Sequence, residues 1–171
     1  MELSKRIDSK GFPMPKNLAN PESFRIYNLQ GGTETHYYTD GHSHGFISKT
    51  RVITDARYTS QHRAFNINGI DKYAIGYLSD GERRPHKLEF IELETGKRVL
   101  PFFDAFTPGE RYLSFRINSE DGDITKHRWG VFDMLTGQQI TNVNIPTSEL
   151  LEMSKKFKEV TNAFKRYLIS D

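Results

Sequence analysis

The chain contains no cysteine, which excludes disulfide bridges, thiolate metal sites and cysteine nucleophiles. It also lacks a dominant charge, because 24 lysine and arginine residues against 22 aspartate and glutamate residues leave a formal net charge of +2. So small an excess does not require nucleic acid or an anionic membrane as a partner. The first ten residues lack the apolar core of a signal peptide, and no apolar run is long enough to cross a bilayer. We therefore expect a soluble, cytoplasmic protein.

Catalytic fingerprints are missing as well. The sequence has no Gly-x-Ser-x-Gly elbow, no phosphate-binding glycine loop, no dinucleotide-binding glycine pattern and no His-Glu-x-x-His. Carboxylates are numerous, but no pair is singled out as a general acid and base. These absences favour a function without catalysis and without a cofactor. A catalytic site assembled in space from distant residues would leave no such motif, so the enzyme question stays open.

Aromatic residues are abundant, at 12% of the chain, with twelve phenylalanines, eight tyrosines and one tryptophan. This composition favours strands and aromatic contact surfaces. Two segments, residues 86–99 and 127–140, also resemble each other: histidine, threonine and glycine coincide, and basic, acidic and apolar positions mostly keep their type. A repeat of this length is one supersecondary unit used twice, so it indicates the architecture.

Each copy of the repeat predicts a three-stranded antiparallel meander, over residues 71–103 and 110–145. In each, a strand and a polar turn lead into the repeated strand, which ends in a Thr-Gly hairpin before a final strand. Gly96 and Gly137 would supply the positive φ that such a tight turn needs. The repeated strands are apolar on both faces, which predicts that both faces are covered.

The hairpin resembles half a blade of a β-propeller, particularly over residues 131–137. A propeller needs about four blades, and the sequence contains two copies of the repeat. We therefore predict a mainly β fold in which antiparallel meanders form a sandwich or a half-open barrel.

The predicted organisation is a single domain over residues 1–171. Three prolines indicate an extended N-terminal arm over residues 1–21, and the antiparallel β domain follows over residues 22–145. Residues 147–169 predict one long amphipathic α-helix, with a stripe of apolar side chains at spacings of three and four. That stripe comprises Leu150, Met153, Phe157, Val160, Phe164 and Tyr167. The helix would either cover the sheet or form a homodimer with a second copy.

Basic clusters occupy equivalent places in the two copies of the repeat. The residues predicted to contact a partner are these clusters and two tyrosines: Tyr37, Tyr38, Arg83, Arg84, His86, Lys87, Lys126, His127 and Arg128. Arginine and tyrosine are typical of binding hot spots. The alternative is that the basic residues only protect strand edges from aggregation.

A histidine-rich stretch forms the second candidate site. His42 and His44 lie two residues apart, so on a strand both side chains would project from one face. With His36 they could hold zinc or another divalent metal. The alternative is a polar loop whose histidines are solvated.

Three functions follow from these features. The first is a non-enzymatic binding protein that docks on a protein partner, such as an inhibitor or an immunity-type protein that blocks an enzyme. The second is a metal-dependent hydrolase or metal-binding module that uses the histidine cluster. The third is nucleic-acid binding through the repeated basic rim, with aromatic residues stacking on bases.

Overall fold

A computed structural model of the protein describes residues 5–59, 62–78, 87–123 and 126–140. These residues form a mainly β fold of three antiparallel sheets, with no α-helix among them. The chain divides into two compact units, Met1–Pro101 and Phe102–Asp171. Two compact units can belong to one domain, so the single domain stays a prediction. The C-terminal helix predicted over residues 147–169 lies outside the described residues.

The first sheet is an antiparallel meander with the strand order β1-β2-β3-β4. Its strands are β1 (Arg6–Ile7), β2 (Arg25–Asn28), β3 (His36–Thr39) and β4 (His44–Ile47). A short 3-10 helix, Pro21–Ser23, precedes β2, and the Asn20 side chain caps it by accepting a hydrogen bond from the backbone N–H of Glu22. The predicted N-terminal arm therefore contributes a strand to this sheet.

The second sheet follows in the same unit, with the order β5-β6-β7. Its strands are β5 (Arg63–Ile67), β6 (Ile70–Leu78) and β7 (Lys87–Glu92). Asn68 and Gly69 connect the first two strands, with φ values of 54° and 85°. Positive φ at both central residues is the geometry that a two-residue Asn-Gly hairpin adopts.

The third sheet belongs to the second unit and has the order β11-β10-β9-β8. Its strands are β8 (Ala105–Pro108), β9 (Tyr112–Ile117), β10 (Arg128–Asp133) and β11 (Gln138–Gln139). The pairing of β9 with β10 repeats the pairing of β6 with β7.

The repeated Thr-Gly hairpin is confirmed. Gly96 and Gly137 have φ values of 71° and 75°. Their backbone N–H groups donate to the carbonyls of Glu92 and Asp133, each at 2.8 Å. Two copies of the same sequence pattern thus form the same turn.

The strands around that hairpin differ from the prediction at their ends. Each copy has an additional strand in front, β5 or β8. The final strand predicted after Gly96 is reduced to one isolated bridge between Ile91 and Arg98. In the second copy the final strand is the two-residue β11, and residues 141–145 lie outside the described residues.

The repeated strands are covered on both faces, as predicted. Leu88, Glu89, Phe90 and Ile91 are consecutive and all buried. One cluster on the second sheet joins it to the first and contains Leu29, Phe46, Tyr58, Ala64, Ala74, Ile91 and Leu93. The opposite face of the first sheet has its own cluster of Phe24, Ile26, Tyr38 and Ile47, against which Phe12 and Leu18 pack.

Candidate functional site

A strip of aromatic and basic residues lies on one face of the first sheet. Directly opposed residues of an antiparallel pair share a face, as do residues two apart on one strand. Tyr27 is paired with Arg6 on one side and with Tyr37 on the other, and Arg25 is paired with Thr39. We call these five residues the tyrosine surface.

Exposure rises across this face from β4 to β1. Phe46, paired with Tyr37, is fully buried in the cluster between the two sheets. Tyr37 and Tyr27 are half-buried, and Arg6 is exposed. The second sheet therefore covers the β4 side of the face and leaves the β1 side accessible.

The two tyrosine rings are stacked, with centroids 5.3 Å apart and an interplanar angle of 18°. The ring of Tyr37 also contacts His44 and His62, at centroid distances of 5.3 and 5.2 Å. A ring held between other rings loses little further side-chain freedom when a partner binds. Tyr37 is thus held in place by three neighbouring rings while part of its side chain stays accessible.

His44 and His62 form a hydrogen-bonded pair behind Tyr37, with 2.6 Å between Nδ1 of His44 and Nε2 of His62. Burial, reinforced by the positive charge that His44 would carry, lowers the pKa of His62 to about 3. Burial also lowers the pKa of His44, against the opposing effect of Asp40. The pair is therefore uncharged near neutral pH and shares one proton across the contact. Nδ1 of His62 is buried without a hydrogen-bond partner.

Beneath the pair, Tyr58 links the histidines to a buried carboxylate. Its ring lies 5.9 Å from that of His62, and its hydroxyl donates to Oε1 of Glu89 at 2.7 Å. Arg57 donates to the same oxygen at 2.6 Å. Burial and the hydrogen bond to Glu89 raise the pKa of Tyr58, whereas the carboxylate outweighs the effect of burial on Arg57 and raises its pKa. Tyr58 therefore stays protonated and Arg57 charged.

One carboxylate holds the loop between β2 and β3, the strands that contain Tyr27 and Tyr37. Asp71, on β6, accepts backbone hydrogen bonds from Thr33, Glu34 and Thr35 at distances of 2.9–3.1 Å and a side-chain bond from Asn66 at 3.1 Å. Burial acts to raise the pKa of Asp71, but these hydrogen bonds lower it to about 2. The carboxylate is therefore ionised throughout the physiological range.

The charges on the tyrosine surface are positive. Arg25 donates to the carbonyl oxygens of Glu22 and Phe24, at 3.1 and 2.8 Å, which holds its guanidinium near the sheet. Arg6 is exposed at the edge strand. None of the five residues that define the surface is acidic.

Among the predicted contact residues, the two adjacent tyrosines have different positions. Tyr37 belongs to the tyrosine surface. Tyr38 points to the opposite face, where it is fully buried and its hydroxyl donates to the carbonyl of Thr54 at 2.8 Å. Tyr38 is therefore a core residue rather than a surface contact.

The predicted basic rim is described in part. Lys87 begins β7 and Arg128 begins β10, which are equivalent places in the two copies. Lys126 forms ion pairs with two aspartates of the preceding turn, at 2.8 and 3.8 Å, and Nδ1 of His127 accepts a hydrogen bond from the Ser119 N–H at 3.1 Å. Arg83, Arg84 and His86 lie outside the described residues.

The three predicted metal ligands do not converge. His36 and His44 project from opposite faces of the first sheet, since they are paired with Ile47 and Thr39 respectively. His42 is exposed in the turn between β3 and β4. Within the part of the chain that the structure describes, no group of three or more histidine, aspartate or glutamate residues could hold a metal ion. Metal binding by His36, His42 and His44 stays a prediction.

Four residues of this region were not singled out by the sequence. Tyr27 and Arg25 lie on a strand that was predicted, but their pairing with β3 depends on register. Arg6 lies in the proline-containing arm, and His62 lies in a stretch without a clear period. A search for aromatic residues on neighbouring strands could have found Tyr27, but no local signal marks His62.

Comparison of the chain with protein-family models, with curated proteins and with solved structures found no match. No helix within the described residues is long and apolar enough to cross a membrane.

Proposed function

We propose that this protein is a non-enzymatic binding protein that docks on a protein partner through the tyrosine surface. An inhibitor or immunity-type protein that blocks an enzyme is the concrete form of this function. The observation that carries the proposal is the half-exposed stack of Tyr27 on Tyr37.

The composition of the surface supports docking on a protein. Tyrosine and arginine are the residues most often found at binding hot spots, because they combine large contact area with hydrogen-bonding groups. Tyr37 is supported from behind by the His44–His62 pair. A preorganised aromatic residue of this kind loses less entropy on binding than a free side chain.

The charge of the surface favours a partner with an acidic contact region. Arg6 and Arg25 flank the tyrosines, and complementary charge both speeds association and excludes partners of like charge. The whole chain has a net charge of only +2, so this preference is local to the surface.

The experiment is capture of the partner with the immobilised full chain, followed by affinity measurements on the identified partner. We expect Tyr27→Ala to raise the dissociation constant about tenfold or more, because a hot-spot tyrosine loses its stacking and contact area. Arg6→Ala with Arg25→Ala should slow association and weaken its salt dependence. The matched control is Lys126→Ala with Arg128→Ala, which removes two positive charges from the predicted basic rim.

Two outcomes would contradict the proposal. One is loss of binding in the Lys126 and Arg128 double variant while the Tyr27 variant binds normally, which would assign docking to the basic rim. The other is capture of nucleic acid, with affinity that falls steeply between about 0.05 and 0.2 M salt. Stacking of bases on the same tyrosines would then be the function.

We also propose three features of the fold. The sheets are proposed to form a sandwich or half-open barrel, and residues 147–169 are proposed to form the C-terminal helix. That helix is proposed either to cover the sheet or to form a homodimer.

A further inference from the structure

Arg63 is a half-buried arginine at the start of β5. Its guanidinium carbon lies 4.6 Å from the centroid of the Phe65 ring, two residues along the same strand. Its Nε atom is buried and makes no hydrogen bond within the described structure. A polar group removed from water without a partner is unfavourable, and this is more so for a charged group.

The two other half-buried arginines described in this unit have oxygen partners: Arg25 donates to two backbone carbonyls, and Arg57 is neutralised by a carboxylate. Arg57 pairs with Glu89 at 2.6 Å. In the second unit Arg111 makes two hydrogen bonds to Asp133, at 3.0 and 2.8 Å. Among the described residues, Arg63 has no carboxylate partner of this kind, and burial lowers its pKa with no opposing acid.

A structural role for Arg63 as a cover for Phe65 does not account for the guanidinium. On the same sheet a lysine contacts an aromatic ring in this way: the ammonium of Lys72 lies 5.6 Å from the Tyr73 ring centroid. Lysine or methionine could cover a ring equally well. The planar guanidinium adds a fork of donors that matches a planar anion.

We propose that Arg63 binds a carboxylate that comes from outside this chain. One guanidinium carries one positive charge, which a singly charged carboxylate balances, whereas a phosphate dianion would leave one negative charge unbalanced at this half-buried position. The source would be either a free organic acid or an acidic side chain of a protein segment.

This site is separate from the tyrosine surface. Arg63 and Phe65 are paired with Ile75 and Tyr73, whereas the intervening Ala64 belongs to the cluster that faces the first sheet. Arg63 therefore lies on the face of the second sheet turned away from that cluster. The inference does not depend on the proposed function.

The test is a titration of the full chain with acetate, followed by the NMR signal of the Arg63 Nε–H group. We expect a saturable shift with a dissociation constant on the order of 1 mM, as suits a single charge-assisted pair. Sodium chloride and inorganic phosphate at the same ionic strength are the parallel titrations. A capped tri-glutamate peptide distinguishes the two sources: tighter binding than acetate indicates a protein segment, and equal binding indicates a free acid.

Variants separate binding from a structural role. Arg63→Met should abolish the protection against thermal unfolding that acetate confers and leave the melting temperature unchanged or raised. Arg63→Gln serves the same purpose if the methionine variant does not fold. Lys72→Gln removes one positive charge beside a neighbouring ring of the same sheet and should keep the full acetate response.

The proposal is overturned if chloride reproduces the shift, if phosphate binds more tightly than acetate, or if Arg63→Met keeps the acetate response. A melting temperature lowered by several degrees in Arg63→Met, together with no acetate response in the unaltered protein, would assign Arg63 a purely structural role.

Discussion

At the scale of single residues, Glu89 is the buried carboxylate that stabilises the region behind the tyrosine surface. One of its oxygens accepts hydrogen bonds from both Tyr58 and Arg57. The carboxylate is almost inaccessible, whereas the Arg57 side chain is 34% exposed. Removing the negative charge would leave a guanidinium partly desolvated, although Asp55 provides a second, exposed partner.

We predict that Glu89→Gln lowers the free energy of unfolding by about 2–3 kcal/mol, somewhat less than for a fully buried ion pair. Tyr58→Phe removes one hydrogen bond and keeps the ring, so it should cost about 1 kcal/mol. Urea denaturation at neutral pH measures both. Equal losses in the two variants would show that the charge of Glu89 contributes little.

Single residues also show where sequence analysis reaches its limit. Tyr37 and Tyr38 are adjacent on a strand, so alternation places them on opposite faces. Alternation does not say which face is covered, because that depends on which segments pack there. Phe12 and Leu18, far away along the chain, cover the face that contains Tyr38.

At the scale of elements, strands with a strong local pattern were predictable and short strands were not. The repeated strand and its Thr-Gly turn have an apolar run and a glycine that indicate them without any partner. The two-residue β1 and the four-residue β8 have no such pattern. They exist as strands because a longer neighbour provides the hydrogen bonds, which is information that a local window does not contain.

Gly96 of the Thr-Gly turn and Gly122 of another turn together test why glycine is needed in this fold. Gly96 and Gly122 both have positive φ, at 71° and 76°. A Cβ atom on Gly96 would lie 2.5 Å from the carbonyl oxygen of Ile53, whereas one on Gly122 would meet nothing within 4 Å. The two positions therefore share the backbone requirement and differ only in the close approach.

We predict that Gly122→Ala lowers the free energy of unfolding by about 1 kcal/mol, from the backbone conformation alone. Gly96→Ala should cost about 2–4 kcal/mol, because backbone must also shift to relieve the contact. Chemical denaturation of both variants provides the comparison. If the two losses are equal, the approach of Ile53 to the turn does not constrain it.

At the scale of the whole molecule, the candidate site is assembled by contacts that are distant in sequence. The tyrosine surface takes residues from β1, β2 and β3, and His62 reaches it from the segment before β5. A parallel bridge between Gln30 and Arg63, with the Ala64 N–H donating to the Gln30 carbonyl at 2.8 Å, brings that segment to the first sheet. A bridge across more than thirty residues leaves no local trace. This is why the fold class was predictable from the sequence and the site was largely not.

The same assembly makes the stability of the molecule depend on pH. His62 is enclosed by the rings of Phe46, Tyr58, Tyr37 and His44. The nearby acidic residue is Asp40, which acts to raise the pKa of His44. The pKa of His62 in the folded protein is about 3, which lies below the usual value of 6.5. Between these two values the unfolded chain binds a proton that the folded protein does not, so stability falls as the pH falls.

We predict that the free energy of unfolding decreases by about 2 kcal/mol from about pH 7 to about pH 5 through His62 alone. His62→Phe keeps an enclosed ring without a titrating group, so it should remove most of this dependence. His42→Gln, a change at an exposed histidine, should leave it intact. Urea denaturation of the three proteins at both pH values measures the difference. A His62→Phe variant that keeps the original pH slope would refute the assignment of this dependence to His62.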